Sequence, residues 1–195
     1  PRILSVQYDV YQATLGLRGE VFDGWSYDAY LQIGANDQTN TQSGNALTSK
    51  IEELTFAPDG GEAICGGFNP FGLGSISAEC AAYIAVDGTN RAGVDQMILE
   101  ASLSGPLLQM PAGELRAAFG AFYKKDEYFY HADPVARVFL PDGTGRPDII
   151  GFNASDDIEG EDDNTDLYVE ASIPLRADRP GVRSLEAVVG YRYSD

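Results

Sequence analysis

Residues 167–195 read LYVEASIPLRADRPGVRSLEAVVGYRYSD. Leu167, Val169, Ala171 and Ile173 alternate with Tyr168, Glu170 and Ser172. After RADRPGV, Leu185, Ala187, Val189, Tyr191 and Tyr193 alternate with Glu186, Val188, Gly190 and Arg192. A period of two, with one apolar and one polar face, is the signature of a β-strand between two different surroundings. The Pro-Gly turn joins the two runs as a hairpin.

The same reading holds further back in the chain. In QMILEASLSG, Met97, Leu99, Ala101 and Leu103 share a face. After the turn LLQMPAG, Leu115, Ala117, Phe119, Ala121 and Tyr123 oppose Arg116, Ala118, Gly120, Phe122 and Lys124. Near the start, YQATLGLRGEV puts Tyr11, Ala13, Leu15, Leu17, Gly19 and Val21 on one face. The FDG turn follows. Trp25, Tyr27, Ala29, Leu31, Ile33 and Ala35 then alternate with polar or small residues. The pattern predicts an all-β chain of antiparallel hairpins, about six strands. The hairpins span about 5–36, 96–126 and 165–195.

Two segments without alternation, about 37–95 and 127–164, join the hairpins. In the first, NALTSKIEEL and SAECAAYIAV read as short helical turns, the second capped by Ser77. All the short turns then lie at one end of the sheet and both long loops at the other. Outer-membrane barrels segregate loop length in this way.

Composition narrows the function classes. The chain has 195 residues and a net charge of −17. Such acidity disfavours nucleic acid, which requires a basic footprint, and adsorption to an anionic membrane face. No apolar run is long enough for a transmembrane helix. The start, PRILSVQYDV, has neither an initiator Met nor the pattern of a signal peptide. The last strand is still alternating at Asp195. A slice of a longer polypeptide is the expectation.

The polar faces carry charges of both signs, including Arg18, Glu20, Asp28, Glu100, Arg116, Lys124, Glu170, Glu186 and Arg192. Two architectures fit: a soluble sandwich with its apolar face buried, or a barrel with that face in lipid and the charges in a polar lumen. Three features favour lipid. The strands match the ~9–11 residues a tilted strand needs to cross a bilayer. Aromatics gather toward strand ends at Tyr11, Trp25, Tyr27, Tyr123, Tyr191 and Tyr193. Small Ala and Gly are common on the apolar face.

Cys65 and Cys80 lie in Gly/Ser-rich stretches. A disulfide between them would close a loop of ~15 residues and contribute roughly 3 kcal/mol. The alternative is two buried thiols. No metal constellation is present. Within the loop, Phe68, Asn69 and Phe71 are candidates for ligand contact, since loops on rigid scaffolds carry recognition. The alternative is a stapled loop over the barrel mouth. Tyr128 and Tyr130, with Phe129 and His131, form a candidate aromatic patch, or the top of the girdle. Arg116 and Lys124 are candidates for a lumenal substrate path, against mutual pairing of the charges. The acidic run of Asp156, Asp157, Glu159, Glu161, Asp162 and Asp163 lacks the EF-hand spacing and reads as a solvated loop. One histidine without a nucleophile constellation argues against hydrolysis. No catalysis and no cofactor are expected.

YQATLGLRGEV, the cysteine-flanked FNPFG, LEASLSGPL followed three residues later by PAGELRAAFGAFYKKDEY, DIIGFNASDDIEG and ADRPGVRSLEAVVGYRYSD together resemble the barrel of TonB-dependent outer-membrane receptors. The likeness runs over nearly the whole chain and rests on the order of these strings. It implies a barrel of about 22 strands closed around a plug. It also implies residence in the outer membrane of a Gram-negative bacterium, a lipid bilayer as partner, and uptake of a scarce nutrient: a metal-chelate, cobalamin or an oligosaccharide. Energy would come from a TonB system acting through a plug domain. This chain departs from that pattern. It has no plug, no TonB box, six strands and no terminal strand ending in an aromatic. The resemblance therefore implies an internal piece of the barrel, with no closed lumen of its own. The competing expectation is a soluble or secreted all-β ligand-binding module.

Overall fold

The computed structural model describes residues 2–151 and 154–195, without the side chain of Arg179. Phe152 and Asn153, in the DIIGFNASDDIEG string, lie outside the described residues. Six strands form one open antiparallel sheet in sequence order. They are β1 (Ile3–Phe22), β2 (Trp25–Ala46), β3 (Ala85–Met110), β4 (Gly113–His131), β5 (Ile158–Arg179) and β6 (Val182–Ser194).

The short turns are tighter than the sequence pattern suggests. Asp23–Gly24, Pro111–Ala112 and Pro180–Gly181 are two-residue connections. Gly24 (φ 74°) and Gly181 (φ 82°) adopt the positive φ that the second turn position demands and that a Cβ would strain.

The strands also run further than alternation shows. β2 continues to Ala46, β3 begins at Ala85, β4 reaches His131 and β5 begins at Ile158. The irregular connections are therefore 47–84 and 132–157, shorter than the expected 37–95 and 127–164. In stretches such as NDQTNTQSG (36–44) and EGEDDNTD (159–166) both faces are polar. The backbone ladder persists there while the period-two signal vanishes, because neither face selects apolar side chains.

The register of the last hairpin matches the sequence reading. Leu167 pairs with Tyr193, Val169 with Tyr191, Ala171 with Val189 and Ile173 with Ala187. The apolar residues therefore share one face. Between Pro174 and Arg176 the register slips. Proline cannot donate to the ladder, and a bulge accommodates it.

The chain divides into two compact units. The first contains Pro1–Asp9, Asp37–Gly93 and Phe129–Glu159. The second contains Val10–Asn36, Val94–Tyr128 and Gly160–Asp195. Each is taken by itself.

In the first unit the connection 47–84 holds three helices: α1 (Thr48–Phe56), α2 (Glu62–Cys65) and α3 (Ala78–Ile84). No side chain of its own segment caps α1. Asp148 does so from a distance. Its carboxylate accepts from Ser49 N and Ser49 Oγ, both at 2.7 Å. The helix stops at Phe56, one residue before Ala57-Pro58, as the pre-proline residue avoids the helical region. Gly61 and Gly66, both left-handed, bound α2. Ser77 caps α3 as expected, its side chain accepting from Cys80 N at 3.1 Å. Leu54, Cys65, Cys80 and Ile84 form a small buried core, with Ile51, Phe68 and Tyr83 packed against it.

The second connection docks on the first. Leu47 bridges Ile149, and Ile150 N donates to Ala46 O. A 3₁₀ turn, Pro134–Arg137, is capped by Asp133. Arg137 reaches Asp157 at 3.0 Å, and Ala132 N donates to the same carboxylate.

Candidate functional site

The second unit holds the part of the sheet that carries the short turns, and its two faces differ. On the apolar face Leu15, Leu17, Leu99, Val189 and Tyr191 are each at least half exposed, Leu15 to 73%. Among the described residues, Ala117 and Pro174 are the only buried apolar side chains of this unit. The sheet has thus been ordered without a hydrophobic core behind its apolar face.

Aromatics are set into this face by glycines. The Trp25 indole lies where a Cβ on Gly105 would project, and Tyr27 lies over Gly19. Trp25 also stacks on Phe119 at 6.3 Å between centroids, with 13° between planes. A shallow cleft of about 600 Å³ is lined by Tyr11, Ala13, Ile33, Ala35, Met97 and Lys125 among others. Lys125 is held by two carboxylates, Glu127 at 2.6 Å and Glu161 at 2.9 Å.

The polar face is organised around Glu100 on β3. Its Oε2 accepts from Tyr30 Oη on β2 at 2.8 Å, and its Oε1 from Tyr168 Oη on β5 at 3.2 Å. Tyr168 must cross β4 to reach it, and Gly120 on β4 leaves the space for its ring. Tyr128 likewise lies over Gly160. Sequence reading placed Glu100, Gly120 and Tyr168 on the polar face but did not join them. The signal was a glycine opposite an aromatic, which becomes visible only once the register is known.

Three cations of this face have acidic partners. Lys124 Nζ lies 2.6 Å from Asp126, which also accepts from Gln96. Arg192 pairs with Asp166 and lies over the Phe122 ring at 5.7 Å. Arg116 lies 3.4 Å from Glu114, with both side chains half exposed. Of the two expected substrate-path residues, Lys124 is the more firmly engaged and Arg116 the more open.

The first unit carries the remaining candidates except Tyr128, which belongs to the second. Cys65 and Cys80 are disulfide-bonded, with a Cα–Cα distance of 4.9 Å. Phe68 packs against the small core. Asn69 Oδ1 accepts from Phe71 N at 3.0 Å and shapes the turn. Phe71 projects into solvent. Residues 128–131 belong to β4, so adjacent side chains alternate between faces and Tyr128, Phe129 and Tyr130 form no single patch. His131 meets Phe129 edge-on at 5.0 Å and lies 3.4 Å from Glu159. Tyr130 is half-buried.

Exposed carboxylates in this unit are tuned by local donors. The backbone N–H groups of Ala63 and Gly61 hold Asp59 below the usual carboxylate range. The Thr144 hydroxyl, then Arg146 and the Thr144 N–H, lower Asp142 to about 2. The Glu53 carboxylate accepts the Tyr83 hydroxyl and raises that phenol.

No protein-family model matches the chain, and no curated protein matches it.

Proposed function

We propose that the chain forms part of the wall of an outer-membrane β-barrel of the TonB-dependent receptor kind. It would serve nutrient uptake without catalysis. In this reading the apolar face meets lipid, the Glu100 face lines a polar lumen, and the disulfide-closed connection stands on the outside of a Gram-negative cell. A metal-chelate, cobalamin or an oligosaccharide would be the cargo. Coupling to TonB would act through a plug domain.

One observation carries the reading: the exposed apolar face of the second unit with no core behind it. Water penalises such a face by roughly 25 cal/mol for each Å² of apolar surface, whereas hydrocarbon does not. The order of the resembling strings adds the family to the architecture.

The test is spin labelling of the chain reconstituted in bilayers. Labels at Leu15, Leu99 and Val169 are expected to be accessible to oxygen and shielded from a water-soluble nickel complex. Labels at Gln32, Ser102 and Ser172 are expected to show the reverse. Equal accessibility on both faces would sink the reading and favour the soluble all-β binding module.

A further inference from the structure

The connection that carries the disulfide ends in a built but uncovered apolar tip. Phe71 is 83% exposed and Leu73 fully exposed. Phe56, in the same connection, is also largely exposed. These side chains do not sit on a loose loop. The Cys65–Cys80 bond closes its base. Phe68, near the start of the tip, is anchored on the Leu54–Cys65–Cys80–Ile84 core. Inside the tip, Asn69 Oδ1 accepts from Phe71 N at 3.0 Å. The Ser75 hydroxyl lies 2.9 Å from the Asn69 carbonyl and 2.8 Å from the Gly72 carbonyl. The loop has been ordered around a presentation of Phe71 and Leu73 that buries neither.

The surroundings of the tip select its counterpart. Residues 47–84 contain Glu52, Glu53, Asp59, Glu62 and Glu79 against a single cation, Lys50, for a net charge of 1 − 5 = −4. Lys50 is occupied, since its ammonium donates to Tyr83 O at 2.9 Å and lies 4.6 Å from the centre of the Tyr83 ring. Glu62 opens the helix that ends at Cys65 and Glu79 adjoins Cys80, so both carboxylates flank the disulfide at the base of the tip. An apolar tip on an acidic base repels anionic surfaces and is complementary to an apolar surface with basic residues around it. Two adjacent large apolar anchors on a pre-ordered turn have the form of a binding hot spot, with the ordering cost already met in the free state.

We infer that residues 66–76 are a docking tip for a polypeptide whose contact surface is apolar at its centre and rich in Lys or Arg at its rim. Phe71 and Leu73 are the anchors, and Glu62 and Glu79 supply the charge complementarity. The inference does not rest on the lipid reading of the sheet.

The test pans the full chain against a randomised peptide library displayed on phage, with the F71S/L73S variant as counter-target. Both residues point into solvent, and retention of the disulfide on a non-reducing gel verifies the variant's fold. The expected winners combine aromatic or aliphatic residues with Lys or Arg. Their affinity falls on the order of tenfold or more in F71S/L73S. It also falls in E62Q/E79Q and with added salt. A library that yields no peptide discriminating the wild type from F71S/L73S overturns the inference, as do acidic winners. Vesicles of phosphatidylcholine are the control for a lipid surface. Binding to them that depends on Phe71 and Leu73 would equally overturn it.

Discussion

At the residue scale, Gly120 governs the polar face. Its missing side chain is what lets Tyr168 lie across β4 and donate to Glu100, beside Tyr30. Gly120→Ala would push the Tyr168 ring away from that carboxylate. The expected cost is ~1–3 kcal/mol, the range for overpacking, read from urea unfolding in neutral-detergent micelles. In a Y168A background the same substitution should cost nothing, because the ring it displaces is gone. Equal effects in both backgrounds would show that the glycine is needed for some other reason, and the double-mutant cycle separates the two cases. Little of this cluster was legible in advance. The alternation of LEASLSG put Glu100 on the polar face, but its partners sit 70 and 68 residues away in sequence. Only the register of β2 through β5 brings them together.

At the element scale, the 47–84 connection behaves as a small domain with its own core. Its two longer helices were legible as short helical turns, α3 with its Ser77 cap, but the run of α1 on to Phe56, closed by Ala57-Pro58, was not read. The four-residue α2, between two left-handed glycines, left no periodic trace. The remote cap of α1 by Asp148 was also invisible, since it depends on the two connections docking. The disulfide closes a separation of 15 residues. Its removal in C65S/C80S should cost the module ~3 kcal/mol by the chain-entropy argument. Amide exchange should then quicken in α3 while the amides of Leu99 and Leu103 in β3 keep their protection. Uniform acceleration across the sheet would mean that the module and the strands unfold together. The strand extensions were missed for a different reason. Polar residues on both faces erase the alternation that a half-buried strand displays, although the ladder continues.

At the scale of the whole molecule, the sheet order follows from the turn lengths, which were plain in the sequence. Three tight turns alternating with two long connections leave sequential neighbours as the simplest pairing, and that is the order observed. The openness of the sheet and its solvent-facing apolar side have a measurable consequence. Strands β1 and β6 each leave one edge without a neighbour, and unpaired edges promote association. In buffer the chain is expected to associate, and in neutral-detergent micelles to run as a single copy with unchanged strand content. Light scattering after size exclusion, paired with circular dichroism, distinguishes the two. A stable monomer without detergent would contradict the lipid-facing assignment.

The alternation has a consequence for how such a chain can vary. The apolar positions of all three hairpins carry odd numbers, from Tyr11 to Tyr193. A lone insertion or deletion within a strand would exchange the two faces for every residue beyond it, up to the next turn. Strand length can therefore drift only in steps of two, whereas the connections 47–84 and 132–157 can change by any number. Related chains should thus differ freely in the loops and keep an even count of changes between the turns. The slip at Pro174 is the one point within the β5–β6 pairing where that arithmetic is already relaxed.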